Sequence, residues 1–240
     1  MAFPETRRSV VLAVRSADPE ERARALDGLV EAYWRPVYRH IRTRWREDEE
    51  DARDLAQGFF AAALEKGWLV RFDPERGKFR TYLLTCLDGH VAKERRAARR
   101  LKRGGDATFV PLEQPDEDGE TRELPLRAGT DLEAEFQREW ARSLFSLAVE
   151  SLRARCAGTG KAVAFALFER YDIDGAEASD RPSYAQLGAE HGLPVTQVTN
   201  HLHWARRELR FAVLDKLREI TASEEEFRSE ARALLGVEVP

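Results

Sequence analysis

The 240-residue chain contains only two cysteines, Cys86 and Cys156, a single methionine and five histidines. The cysteines lie far apart and have no CxxC spacing. That excludes a disulfide scaffold and predicts reduced core residues in a reducing compartment. No apolar run approaches the length of a bilayer-spanning helix, and the N-terminus lacks the apolar stretch of a secretion signal. A soluble, cytoplasmic protein with no membrane partner is expected. Alternating apolar–polar runs are nearly missing, and Pro and Gly fall mostly between helical-period stretches, so the expected class is all-α. Neither sign of charge dominates: 39 Lys plus Arg against 43 Asp plus Glu leave a net of −4. The chain is not a polycation, and any nucleic-acid surface must be local. Enzyme signatures are equally scarce, with no Walker loop, no GxSxG and no HExxH. His201 and His203 stand two apart on a helical stretch and do not face one metal, while His40, His90 and His191 are isolated. Asp172-x-Asp174-Gly175 opens like a calcium loop, but the remaining ligand spacing is wrong. A binding protein with no catalytic residue, metal or cofactor is expected.

What is present centres on Ser183–Arg210, SYAQLGAEHGLPVTQVTNHLHWARRELR. Ser183 is a good N-cap for a short helix carrying Tyr184 and Leu187. Gly192 stands where that helix must end in a left-handed turn, and Pro194 suits the start of the next helix. Val195, Val198, Leu202, Ala205 and Leu209 then recur at helical spacing as one apolar stripe. The other faces carry Thr196, Gln197, Thr199, Asn200, His201, His203, Arg206, Arg207 and Arg210. This is the plan of a helix-turn-helix, whose second helix enters the major groove. An ordinary helical hairpin with a solvated face fits the same spacing. Such faces are usually rich in Glu and Lys, however, whereas Thr, Gln, Asn and His are suited to base edges.

In chain order, a short helical stretch at Arg7–Arg15 precedes a helix capped by Asp18 with Pro19 in its first turn. Pro36 is expected to break or restart that helix, whose apolar stripe continues through Val37, Tyr38, Ile41 and Trp45. Residues 47–66 read as a helix with Ala52, Leu55, Phe59, Phe60 and Ala63 on an apolar face and Asp51, Asp54 and Gln57 beside it. Aromatics beside acids fit either a core with a solvated rim or a docking face for a partner helix. Residues 67–77 read as an irregular loop. A helix from about Lys78 to about Arg100 follows, and its end is basic: Val91–Gly105 holds seven Lys and Arg against one Glu, a net of +6. A basic helix end fits phosphate contact. Pro111–Glu135 reverses the balance, with nine acids against two arginines. Its Gly and Pro content marks an acidic linker over 104–132. The expected organisation is a helical domain at 1–103, the linker, a second helical domain at 133–220 and a C-terminal helical extension at 221–240.

The order of these parts resembles a bacterial RNA polymerase sigma factor of the extracytoplasmic-function (ECF) type, over nearly the whole chain. Three motifs carry the resemblance. AYWRPVYRHIRTR followed by EDARDLAQGFFAAAL, Ala32–Leu64, is similar to the family helices of which the second docks on the clamp helices of the polymerase β′ subunit. This implies Asp51, Asp54, Leu55, Gln57, Phe59 and Phe60 as docking residues, with Arg53 and Gly58 standing where acids are common. FDPERGKFRTYLLTCLDGHVAKERRAARRLKRGG, Phe72–Gly105, is similar to a subgroup with a DPERGxFRxxL signature. It implies capture of a flipped minus-ten base by the preceding loop and contacts to melting promoter DNA by Arg71, Arg76, Lys78, Arg80, His90, Lys93, Arg96, Arg99 and Arg100. The third motif is the helix-turn-helix, which in the family binds the minus-thirty-five element. Here Thr199 and His201 stand where Lys and Arg often occur, and Trp204 replaces a common Arg.

The implied function is promoter recognition, DNA melting and transcription initiation. The implied partners are core RNA polymerase, through the β′ clamp helices and the β flap, and promoter DNA both double-stranded and melted. The protein is expected to be a monomer when free, and an anti-sigma factor stays open as a further partner. Two alternatives stand beside this reading. One is a helix-turn-helix regulator that binds an operator as a dimer. The other is a polymerase-docking regulator with weakened DNA reading.

Overall fold

A computed structural model describes residues 9–102, 130–175 and 181–237. Among the described residues every regular element is helical, so the chain is all-α. The α-helices are α1 (Val10–Ala13), α2 (Pro19–Arg44), α3 (Glu49–Glu65), α4 (Trp68–Arg71), α5 (Phe79–Lys102), α6 (Thr130–Gly158), α7 (Ala162–Phe168), α8 (Tyr184–His191), α9 (Val195–Ile220) and α10 (Glu224–Leu235). The acidic linker lies outside the described residues up to 129, and α6 begins at Thr130.

Local chemistry sets several helix starts. Asp48 caps α3 by accepting from the Asp51 N–H at 2.9 Å. Ser183 and Gln186 cap α8 reciprocally: Ser183 Oγ accepts from the Gln186 N–H at 3.2 Å, and Gln186 Oε1 accepts from the Ser183 N–H at 2.7 Å. Ser223 caps α10 through the Glu226 N–H, and Glu226 in turn accepts from the Ala222 N–H at 2.8 Å.

Two segments differ from the sequence expectation. Helix α2 runs unbroken through Pro36. An interior proline costs about 3 kcal/mol or more. Tyr33, Val37 and Ile41, all fully buried around it, each contribute about 1.5–3 kcal/mol of burial and hold the helix in line. The stretch 67–77 is ordered into short turns rather than irregular: α4 follows Gly67, and a 3₁₀ turn spans Pro74–Arg76. Asp73 caps that turn by accepting from the Glu75 N–H at 3.0 Å.

The described residues divide into two compact units, those within Tyr33–Trp140 and those within Met1–Ala32 and Ala141–Pro240. The division falls inside α2 and inside α6. In the first unit, α3 packs on α5 and α4. Its core is aromatic: Phe79 meets Tyr33 at 5.6 Å and Phe72 at 5.1 Å between ring centroids, and Phe59 meets Phe60 at 5.3 Å. The start of α6 adds buried Phe136 and Trp140 to this unit. A polar knot lies beside the core, where Asp88 Oδ1 accepts from His40 Nε2 and Trp45 Nε1, both at 2.9 Å. In the second unit α7, α8, α10 and α1 all pack on α9. Leu152, Cys156, Phe165, Leu167, Phe168, Leu187, Val198, Leu202 and Ala205 form one buried cluster.

The turn from α8 into α9 leaves no room for a side chain at Gly188 and needs a positive φ at Gly192. Gly192 has φ of 64°, and the Leu193 N–H donates to the Gly188 carbonyl at 2.8 Å. A Cβ on Gly188 would stand 2.6 Å from the Leu193 carbonyl oxygen. A Cβ on Gly58 of α3, by contrast, would sit at an ordinary 3.6 Å from the His90 ring. Gly188→Ala is expected to destabilise the fold by about 1–3 kcal/mol, as overpacking does. Gly58→Ala is expected to stabilise it by up to about 1 kcal/mol, the helix-propensity difference. Urea unfolding of the three proteins side by side checks both signs.

Candidate nucleic-acid interface

The first unit presents two stripes of opposite charge. On α3, Asp51, Asp54 and Gln57 are exposed, and Ala61, Leu64 and Glu65 continue that solvent face along the helix. Leu55 is half-buried. Phe59 and Phe60 stand on the opposite side and are core: Phe59 is fully buried and Phe60 stacks on Trp34 at 5.9 Å. Neither is available to a partner. Leu64, 43% exposed, is the apolar residue that this face does offer. Sequence reasoning missed it because an aromatic pair outweighs a lone leucine in any hydrophobic ranking.

On α5, Lys93, Arg96 and Arg100 are exposed at spacings of three and four, which makes one basic stripe flanked by Arg99. Arg95, between them, is engaged: it pairs with Glu47 at 3.0 Å and donates to the Trp45 carbonyl at 3.2 Å. Ahead of α5, Arg71 and Arg76 are exposed and Lys78 is half-buried. Arg76 lies only 3.7 Å from Asp73 along its own turn and stays 88% exposed. Phe72, next to Arg71, points into the core against Phe79 and Tyr82. Tyr82 donates to the Trp68 carbonyl at 2.8 Å, which fastens α4 to α5. Burial, reinforced by the neighbouring Cys86, pushes the Tyr82 phenol well up, so the phenol remains a donor.

Two of the residues expected at the DNA surface are instead interior. Arg80 is 8% exposed, with its guanidinium 4.3 Å over the Trp140 ring. Trp140 is 60 residues downstream of Arg80, so no local pattern in the sequence signals that contact. His90 is 7% exposed and lies against Phe59 and Trp68 at 5.9 and 6.1 Å. Its Nε2 has no hydrogen-bond partner among the described residues.

In the second unit the stripe predicted for α9 is buried at Val198, Leu202 and Ala205. It weakens at both ends, because Val195, the first residue of the helix, is 47% exposed and Leu209 is half-buried. Thr196, Gln197, Thr199, Asn200, His203, Arg207 and Arg210 are exposed, and His201 is half-buried. The Thr199 hydroxyl donates to the Val195 carbonyl at 3.0 Å. Both flanks of α9 are tied down. On one side Lys161 lies 5.6 Å over Trp204, and Glu208 accepts from Arg155 at 3.0 Å. On the other side Arg206 is paired to Asp172, and Tyr184 of α8 is half-buried against Tyr171 at 5.0 Å. Among the described residues, no cluster of three or more His, Cys, Asp and Glu could hold a metal ion, and no helix is long and apolar enough to cross a membrane.

The buried histidine has a measurable signature. Burial pushes the His90 imidazole down; Glu94 opposes this, and Lys66 and Lys93 reinforce it. The unfolded chain, with an ordinary histidine pKa of about 6.5, therefore takes up the proton first. The stability held by neutral His90 is complete above that pKa and is lost as pH falls through the lower folded value. The urea midpoint of the wild type is expected to fall between neutral and mildly acidic pH, and to fall less in His90→Leu. Paired unfolding curves across that interval check it.

No curated protein and no solved structure matches the chain. Residues 29–101 match the family model of sigma-70 region 2, and those residues hold the acidic face of α3 and the basic stripe of α5. The match likens this stretch, under a third of the chain, to region 2 of sigma-70 factors.

Proposed function

We propose that the chain is an ECF-type sigma factor that directs core RNA polymerase to promoters. The observation that carries this reading is the coincidence of the region 2 match with two oppositely charged helix faces in one compact unit. The acidic face of α3, with Asp51, Asp54, Gln57 and Leu64, docks on the β′ clamp helices. The basic stripe of α5, with Arg71 and Arg76 ahead of it, holds the melting minus-ten region by charge, and the turns at 67–77 receive an unstacked base. Helices α8 and α9 act as a helix-turn-helix on the minus-thirty-five element. Thr196, Gln197, Asn200 and His203 face the bases, and Arg207 and Arg210 face phosphates. The acidic segment 104–132 occupies a positively charged nucleic-acid channel of polymerase. The protein works in the cytoplasm as a monomer until polymerase holds both reading heads in register.

Reconstitution with core polymerase, followed by mapping of transcript starts, tests the reading. Discrete starts absent with core alone are expected, and no selectivity over core alone overturns it. Core binding without selective starts would instead favour a docking regulator, which the loss of cations at Thr199 and His201 would explain. Asp54→Arg reverses one exposed charge on α3. It is expected to weaken core binding by at least about tenfold, measured by fluorescence anisotropy, and to leave the unfolding midpoint unchanged.

A further inference from the structure

Asp172 is the meeting point of three elements in the second unit. It lies in a π-helical turn, Glu169–Ile173, that continues α7. Its carboxylate accepts two hydrogen bonds from Arg206 of α9, Nε to Oδ2 at 2.8 Å and Nη2 to Oδ1 at 2.9 Å. This is the fork geometry in which arginine binds carboxylate most strongly. Arg181, just ahead of α8, approaches the same carboxylate at 4.0 Å and donates to the Tyr171 carbonyl at 3.2 Å. Its guanidinium covers the Tyr171 ring at 4.4 Å, and that of Arg206 lies 5.6 Å from the same ring. Tyr171 in turn packs on Tyr184, the first residue of α8.

Arg206 stands at the edge of the buried face of α9, with its side chain 44% exposed. It follows buried Ala205 directly and borders the stripe of Val198, Leu202 and Ala205, whereas Arg207 lies a further 100° round the helix. The Asp172 side chain is 20% exposed and that of Arg206 44%, so it is the carboxylate half of the pair that is shielded from the salt that screens an exposed phosphate contact. Arg206 donates to Asp172 and to the Tyr184 hydroxyl oxygen, and both contacts favour its charged form.

We propose that Asp172 is a positioning residue for DNA reading by α9, and that Arg206 acts through it and does not touch a phosphate. The proposal rests on the reading of α8 and α9 as a promoter head. Asp172 locks the rotation of α9 about its own axis, and so decides which of its side chains meet the base edges. Arg181 and Tyr171 brace the lock from the side of α8.

The test uses holoenzyme and a promoter fragment taken from the mapped starts, with affinity measured across a series of salt concentrations. Arg207→Ala, a phosphate-facing control, should lower the salt slope by about one. Arg206→Ala and Asp172→Ala should each weaken binding by roughly fivefold to tenfold with the slope unchanged, and the double variant should be no weaker than either. The exchanged pair, Asp172→Arg with Arg206→Asp, should recover part of the loss. Arg206→Lys keeps the charge but not the fork, so it guards against variants that do not fold, and it should bind between wild type and Arg206→Ala. The proposal is overturned if Arg206→Ala lowers the slope as Arg207→Ala does, if Arg206→Lys binds as wild type, or if Asp172→Ala binds as tightly as wild type. A wild-type affinity indifferent to the minus-thirty-five sequence would overturn the promoter-head reading itself, and is read independently of these variants.

Discussion

The packing of α2, α3 and α5 around buried aromatic side chains is the constraint from which the first unit follows. Phe59 of α3 and Phe79 of α5 are fully buried, Phe60 stacks on Trp34 of α2, and Phe72 meets Phe79. Each large side chain removed from water contributes about 1.5–3 kcal/mol. With those faces turned inward, helical periodicity leaves the acids of α3 and the bases of α5 facing out on separate surfaces. A chain whose net charge is only −4 thereby shows two partners opposite potentials. The charge segregation is a by-product of where the rings go.

Arginine does three different jobs here, and they are not told apart by counting charges. Arg80 and Arg218 cover aromatic rings, at 4.3 Å from Trp140 and 4.1 Å from Phe227. Arg95 and Arg206 hold helices in place through carboxylates. Arg96, Arg100, Arg207 and Arg210 face outward. The planar guanidinium suits the first two jobs better than an ammonium, because it stacks and forks.

What was legible in the sequence is what chemistry decides locally. The cap at Ser183, the glycine stop at Gly192 and the basic stripe of α5 all stand where residue type and spacing put them. What was not legible depends on partners far along the chain. Asp172 and Arg206 are 34 residues apart, and His40 and Asp88 are 48 apart. Neither pairing leaves a periodic trace. Phe60 and His90 look like surface candidates only until α3 and α5 are laid face to face. Pro36 shows the same limit from the other side, since its local cost is real and is overridden by the buried residues around it.

The buried contacts of Phe136 and Trp140 carry a topological consequence. Helix α5 and the first turns of α6 belong to the same unit, so the chain that leaves after Lys102 rejoins the body it left. The two ends of the segment between them are thus held by one unit. The entropy of closing such a loop grows only with the logarithm of its length, and each doubling costs about 0.6 kcal/mol. The length and charge of that segment are therefore expected to weigh little on the stability of the unit, which leaves both open to selection for other ends.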